Sequence, residues 1–106
     1  MDVAVTQATS TSTAVTANGM NGEITCFTSV QAALTTVTFT VNNTAVDADS
    51  VILVSIVNYS GTYVTNGIPV VMVNNRVAGT SFDIKIVNAH ATVALGGILK
   101  LAFQLG

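Results

Sequence analysis

The side chains that could do chemistry are few and are spread along the chain. Its 106 residues include one cysteine, Cys26, and one histidine, His90, with five acidic and three basic residues. A Cys and a His can act as nucleophile and general base, but they need a third group that orients the base, and the sequence offers none. Cys26 also lies within the strand pattern GEITCFT, where a lone Cys is usually a small core residue. We therefore predict that the chain is not an enzyme.

The acidic pair Asp47 and Asp49, in TAVDADS, offers oxygen ligands of the kind that Ca²⁺ binds. Such a pair more often ends a turn, because Asp side chains accept hydrogen bonds from nearby backbone N–H groups. The chain has no zinc-ligand spacing and no glycine-rich phosphate loop, and its three basic residues form no patch of the kind that nucleic acid requires. We expect no cofactor, no metal and no nucleic-acid partner.

His90 allows two interpretations. It stands in VNAHATVAL, between two apolar strand patterns. In the simpler one, the imidazole is hydrogen-bonded to a backbone carbonyl at a strand end. In the other, His90 lies near a subunit contact, and its protonation at mildly acidic pH weakens assembly.

The composition predicts a surface with few ions. Half of the residues are hydrophobic and only 8% are charged, whereas a typical domain is about 25% charged. A single domain of this size exposes roughly 5,500 Å² when folded, so its charges are far apart and protect poorly against association. No apolar run approaches the roughly 18 residues of a membrane-spanning helix. An unusually apolar soluble monomer is one interpretation; a subunit largely covered by partners, not by a membrane, is the one we favour.

Strand patterns follow one another from residue 22 onward. The clearest are TVTFTVNN, TSFDIKIVN and ILKLAFQL, which alternate between apolar and polar residues, and no segment keeps a helical period. Pro69, in IPVVMVNN, must start its strand or lie on a sheet edge, because it has no N–H to donate. Short strands with turn signals between them predict an all-β fold, an antiparallel, jelly-roll-like β-sandwich of seven or eight strands.

The first 18 residues, MDVAVTQATSTSTAVTAN, consist largely of small and β-branched residues. We predict an extended N-terminal arm over residues 1–18, ahead of a single β-sandwich domain over 19–106, with a disordered leader as the alternative. Val3, Val5 and Val15 are its only anchors, and we expect them to contact a neighbour or a larger shell. Asp2 stands where a signal peptide would be positively charged, so we expect synthesis in a cytoplasm without a signal peptide.

Residues 50–58, SVILVSIVN, form a strand pattern that does not alternate. Both of its faces are apolar, so we expect one face to be covered by another subunit and assign Ile52, Val54 and Ile56 to that inter-subunit surface. The segment that follows, NYSGTYVTNG, has the composition of a loop. We expect Tyr59, Tyr63 and Asn66 at its exposed tip.

The order of these motifs resembles that of a group of small phage virion proteins. In that group a Thr-rich TQATS-TAVT arm leads into a G-x-I-T strand, followed by F-T-V-N-N, a hydrophobic strand, a Y-S-G loop, G-S-F-D-I and an N-x-H-x-T-x-A-L turn. The likeness covers nearly the whole chain, and its most specific pieces lie at 3–16, 38–43 and 82–95. This chain has AGTSF where the group has AGSF, one residue longer.

The resemblance implies a structural role in a phage particle. Such proteins occur as capsid decoration (cement) proteins and as domains of head or tail fibres, and both settings favour trimers. We expect a homotrimer on the virion surface that binds the major capsid protein non-covalently. The alternatives are a fibre or spike-tip module, in which Tyr59 and Tyr63 stack on a host glycan, and a free-standing cytoplasmic β-sandwich.

Overall fold

The computed structural model describes residues 3–62 and 65–106, which form two four-stranded β-sheets and no helix. The chain is therefore all-β, as predicted, and within the described residues no helix is long and apolar enough to cross a membrane. The strands are β1 (Val3–Thr6), β2 (Val15–Thr16), β3 (Asn21–Thr25), β4 (Thr36–Asn42), β5 (Ile52–Tyr59), β6 (Pro69–Val77), β7 (Ser81–Asn88) and β8 (Leu99–Leu105). Sheet A has the order β1-β3-β8-β5 and sheet B the order β2-β4-β7-β6.

The core lies between the two sheets and is built by the alternating strands. In sheet B, β7 buries every second residue, and in sheet A, β8 does the same. The ring of Phe82 in β7 meets the ring of Phe103 in β8 edge to face, with centroids 5.6 Å apart, and so joins the sheets at the centre of the core. The alternation of these strands and of β4 predicts ten inward residues, and all but Val37, which is half-buried, are buried: Phe39, Val41, Phe82, Ile84, Ile86, Leu99, Leu101, Phe103 and Leu105.

Both sheets are mixed, which corrects the expectation of a purely antiparallel sandwich. β3 pairs with β8 and β4 with β7 in antiparallel register, but β1 pairs with β3 and β2 with β4 in parallel. The parallel pairs arise because the chain changes sheet after each of its first five strands, so β1 and β3 enter sheet A from the same end. The jelly-roll expectation is not confirmed.

Residues 3–18 pack with the two sheets and do not form a separate arm, so the predicted N-terminal arm is not confirmed. Val15 and the neighbouring Ala17 are buried in the core, and Val3 and Val5 pack against it. β1 and β2 are short strands at the sheet edges, so small and β-branched residues suffice to cover the core there. The residues assigned to contacts with a neighbour therefore contribute to this chain's own fold.

The Thr- and Ser-rich segment after β1 is ordered around one buried side chain. The Nε2 of Gln7 donates to the carbonyl oxygens of Thr11 and Thr13, at 2.9 and 2.8 Å. Its Oε1 accepts a hydrogen bond from the backbone N–H of Phe27 at 3.0 Å. Because the amide serves three backbone groups at once, residues 7–13 form a compact turn against β3.

Candidate interaction surface

The sandwich has two open sides, and they differ in length. One side is formed by the edge strands β1 and β2, of four and two residues, and the other by β5 and β6, of eight and nine residues. β5 packs against β6, so the two long edges lie on the same side of the molecule. Short edge strands are one way in which proteins avoid pairing with other chains, and a long open edge favours it. We call the longer side the β5/β6 side.

The side chains of β5 alternate, which corrects the predicted inter-subunit surface. Ile52, Val54 and Ile56 face inward and pack against the core of their own chain. The opposite face carries Leu53, which is 62% exposed, and a bulge after Ile56 leaves Val57 51% exposed. Both faces of the strand carry apolar residues, as the sequence indicates. The exposed face, however, is the one with Leu53 and Val57, which the sequence analysis did not assign to the inter-subunit surface.

β6 repeats this arrangement in the other sheet. Val71 and Val73 pack against the core, while Val70 and Met72 point away from it and are 42% and 46% exposed. Pro69 is the first residue of β6, and β6 is an edge strand. Both positions agree with the prediction from the missing N–H of proline. The outer face of each sheet therefore carries exposed apolar side chains next to the β5/β6 side.

Among the described residues between 51 and 77, which exclude 63 and 64, seven large hydrophobic residues are at least 39% exposed. The sequence from Ser50 to Asn75 has no charged residue. Those seven are Val51, Leu53, Val57, Ile68, Val70, Met72 and Val77. Arg76 closes the segment, and its guanidinium donates to the carbonyl oxygen of Ser50, which ties the end of β6 to the start of β5. Half of the exposed residues of β5 and β6 are thus apolar, and Arg76 is the one charged residue among them.

A shallow groove of about 490 Å³ lies on the outer face of sheet A, beside β5. Leu53 and Ser55 form one wall, and Ala102 and Gln104 of β8 form the other, with Asn21 at one end. Farther across the same face, Lys100 and Glu23 form an ion pair at 3.5 Å. The groove is large enough to receive side chains of a protein partner but holds no charged group.

The loop after β5 does not present Tyr59, and that prediction is wrong. Tyr59 is only 8% exposed; its hydroxyl donates to the carbonyl oxygen of Asn66 at 2.5 Å and accepts from the N–H of Gly96 at 3.2 Å. The Oδ1 of Asn66 accepts from the N–H of Thr62 at 3.0 Å, so this side chain also closes the loop. Tyr63 lies outside the described residues.

His90 organises the turn that contains it. Its Nδ1 accepts hydrogen bonds from the N–H groups of Thr92 and Val93, at 3.1 and 3.0 Å. The imidazole is thus an acceptor within its own segment, and within residues 3–62 and 65–106 it donates to no strand-end carbonyl. The pH-sensitive subunit contact at His90 stays a prediction.

The acidic pair forms a turn. The Oδ1 of Asp47 accepts from the N–H of Asp49 at 2.9 Å and from the hydroxyl of Ser50 at 3.3 Å. Among residues 3–62 and 65–106, no three His, Cys, Asp or Glu side chains come together in a way that could hold a metal ion.

Cys26 is buried in the core, and its burial raises the pKa of the thiol from its ordinary value of 9.0 to about 12. The unfolded chain therefore loses this proton first as the pH rises. The free energy of unfolding is expected to fall between about pH 9 and about pH 12, by at most about 1.4 kcal/mol per pH unit, with no contribution from Cys26 below that window.

Urea unfolding of the wild type and of Cys26→Ala, at about pH 8 and about pH 11, measures this effect. The wild type should lose more stability between the two conditions than the variant. Equal losses would show that the thiol does not contribute.

The chain was compared with protein-family models, with curated proteins and with solved structures, and none of the three comparisons found a match.

Proposed function

We propose that this chain is a phage capsid decoration protein, which binds the outer surface of the capsid as a homotrimer and stabilises the shell through non-covalent contacts. The observation that carries the proposal is the β5/β6 side, which has two long open edges, exposed apolar residues and no charged residue from Ser50 to Asn75. A free monomer would leave this surface in water, whereas a subunit of a larger assembly covers it.

The order of sequence motifs supports the same role, since it resembles that of small phage virion proteins. A decoration protein needs few charges because partners cover much of its surface, and this chain is 8% charged. A protein that binds the assembled shell but not its dissociated subunits stabilises the shell by mass action. A trimer also contacts several shell subunits at once, so weak contacts gain from effective concentration.

The alternative of a glycan-binding fibre module has less support. It relies on Tyr59 and Tyr63 as stacking rings, and the ring of Tyr59 is buried with its hydroxyl bonded inside the loop. No described feature of the molecule favours that alternative.

Binding to the shell tests the proposal directly. Purified chain should co-sediment with capsids of the phage that encodes it, saturate at a stoichiometry of many copies per shell, and raise the temperature at which the shell opens. Bovine serum albumin is a suitable control for non-specific sedimentation. A chain that does not bind the shell, or that virions contain in only the few copies of a tail component, would contradict the proposal.

A further inference from the structure

We infer that His90 makes the connection between β7 and β8 acid-sensitive: protonation of its imidazole opens the turn at residues 90–93 and loosens that end of the sandwich. The inference concerns a single chain and does not rest on the proposed function. Three features of the molecule support it: the hydrogen bonds of the imidazole, the place of the turn in the network around Asn88, and the lack of a carboxylate that could pair with an imidazolium.

The imidazole holds the turn through a nitrogen that acid converts from an acceptor to a donor. The Nδ1 of His90 accepts from the N–H groups of Thr92 and Val93, at 3.1 and 3.0 Å. A neutral imidazole has one N–H and one acceptor nitrogen, so here the proton lies on Nε2. When a second proton binds, Nδ1 becomes a donor that faces two N–H donors. Both hydrogen bonds are then lost, so proton uptake and the closed turn exclude each other.

The closed turn positions groups that fasten the loops at this end of the sandwich. The carbonyl oxygen of Val93 accepts from the Nδ2 of Asn88 at 2.8 Å, and the N–H of His90 donates to the Oδ1 of the same side chain at 3.1 Å. Shortly after the turn, the buried Leu95 donates its N–H to the carbonyl oxygen of Gln31 at 2.8 Å. Opening of the turn would therefore weaken its attachment to the loop before β4.

The segments that bond to this turn supply no carboxylate for an imidazolium. The bonding partners of residues 88–96 lie in 24–46, 50–75 and 86–99, and these parts of the sequence contain no Asp, Glu, Lys or Arg. Their other ionisable side chains are Cys26, Tyr59 and Tyr63, none of which is a carboxylic acid.

The acidic side chains of the rest of the described chain have other positions. Glu23 pairs with Lys100 at 3.5 Å, and Asp83 is bonded to β4. The acidic pair at 47–49 follows the end of β4 that pairs with the start of β7, whereas His90 follows the end of β7. In the described part of the chain, the imidazole therefore has no carboxylate partner. Because the open turn binds the proton more readily than the closed one, acid shifts the equilibrium toward the open turn.

Amide exchange with water, measured by NMR and corrected for the intrinsic rate at each pH, tests the inference. In the wild type, the protection of the Thr92 and Val93 N–H groups should fall at least tenfold between about pH 8 and about pH 5, the range in which a His side chain changes charge. The N–H of Ala45 is the internal control. It donates to the Oδ1 of Asn43 at 2.7 Å, in a turn beyond the other end of β4, and should keep its protection.

Two substitutions fix the turn in one state or the other. His90→Asn keeps an acceptor at every pH, since an Asn side chain bonds readily to the N–H two residues further on, as Asn43 and Asn88 do in this chain. In this variant the protection of residues 92 and 93 should not change between the two pH values. His90→Ala has no acceptor and should give low protection at both.

Wild-type protection that is equal at the two pH values overturns the inference. A fall of the same size in His90→Asn places the acid effect at another group and also overturns it. So does a His90→Ala turn that is as well protected as the wild type at about pH 8. If His90→Ala does not fold, the comparison of the wild type with His90→Asn still decides the question.

The measurement is made at two chain concentrations. The inferred effect lies within one chain and should be the same at both. A fall in protection that depends on concentration would assign the proton effect to a contact between copies and would contradict the inference. None of these outcomes bears on shell binding, which co-sedimentation tests separately.

Discussion

Replacing Asn88 by Asp is expected to lower the free energy of unfolding by about 3–5 kcal/mol, a large part of the stability of a domain of this size. Asn88 is fully buried at the end of β7. Its Nδ2 donates to the carbonyl oxygens of Gln31 and Val93, at 3.3 and 2.8 Å. Its Oδ1 accepts from the N–H groups of Ile68 and His90, both at 3.1 Å.

The four hydrogen bonds join three loops at one end of the sandwich. The carboxylate of Asp can only accept, so it keeps the two bonds from N–H groups and loses the two to carbonyl oxygens. It would also place a buried negative charge against two carbonyl oxygens, which no longer receive a hydrogen bond. Asn88→Ala removes all four bonds without adding charge, and we expect a loss of about 2–4 kcal/mol.

Urea unfolding at one chain concentration, followed by circular dichroism, measures both variants against the wild type. Asn42→Asp is the matched control, because Asn42 is exposed in β4 and should change stability by less than about 0.5 kcal/mol. An Asn88→Asp protein as stable as this control would show that the amide does not hold the loops together.

Replacing Phe82 by Ala is expected to cost about 3–5 kcal/mol. Phe82 is fully buried between the sheets, and its ring contacts that of Phe103 with an interplanar angle of 63°. Truncation leaves a cavity where the sheets meet and removes the edge-to-face contact, which adds about 0.5–1.5 kcal/mol beyond area burial. Phe82→Leu fills most of that space and should cost less.

Thermal and urea unfolding compare these variants with Phe27→Ala. Phe27 is 42% exposed, so its truncation should cost less than about 1 kcal/mol. If Phe82→Ala and Phe27→Ala were equally stable, the contact between Phe82 and Phe103 would not be central to the core.

The inward face of a strand was predicted correctly where one face of that strand meets water and the other meets the core. In β4, β7 and β8 the alternation of apolar and polar residues identifies the inward face without reference to any other segment. In β5 both faces are apolar, so the pattern cannot say which face meets the core. That face depends on the pairing of β5 with β8, which places Val54 opposite Phe103.

The buried amides were not predictable from local pattern. Gln7, Asn43 and Asn88 occur among Thr, Ser, Asn and Ala residues that are typical of exposed turns. The structure buries all three and bonds each one to backbone groups. A polar side chain can be buried when distant carbonyl and N–H groups satisfy it, and those groups come together only in the folded chain.

The apolar character of the β5/β6 side could be predicted from the sequence. The uncharged run from Ser50 to Asn75 is visible in it, and this run includes Leu53, Val57, Val70 and Met72. What the sequence does not contain is the sheet order that brings β5 and β6 to the same side as open edges.

The sequence by itself determined the all-β class, the inward faces of the alternating strands and the scarcity of charge, because each depends on residue type and on spacing along one strand. Only the tertiary structure decided that residues 3–17 belong to the sandwich, that Tyr59 is buried and that Leu53 rather than Ile52 faces outward. These features depend on which distant strands become neighbours, and strand pairing is set by the packing of the whole core rather than by any single segment.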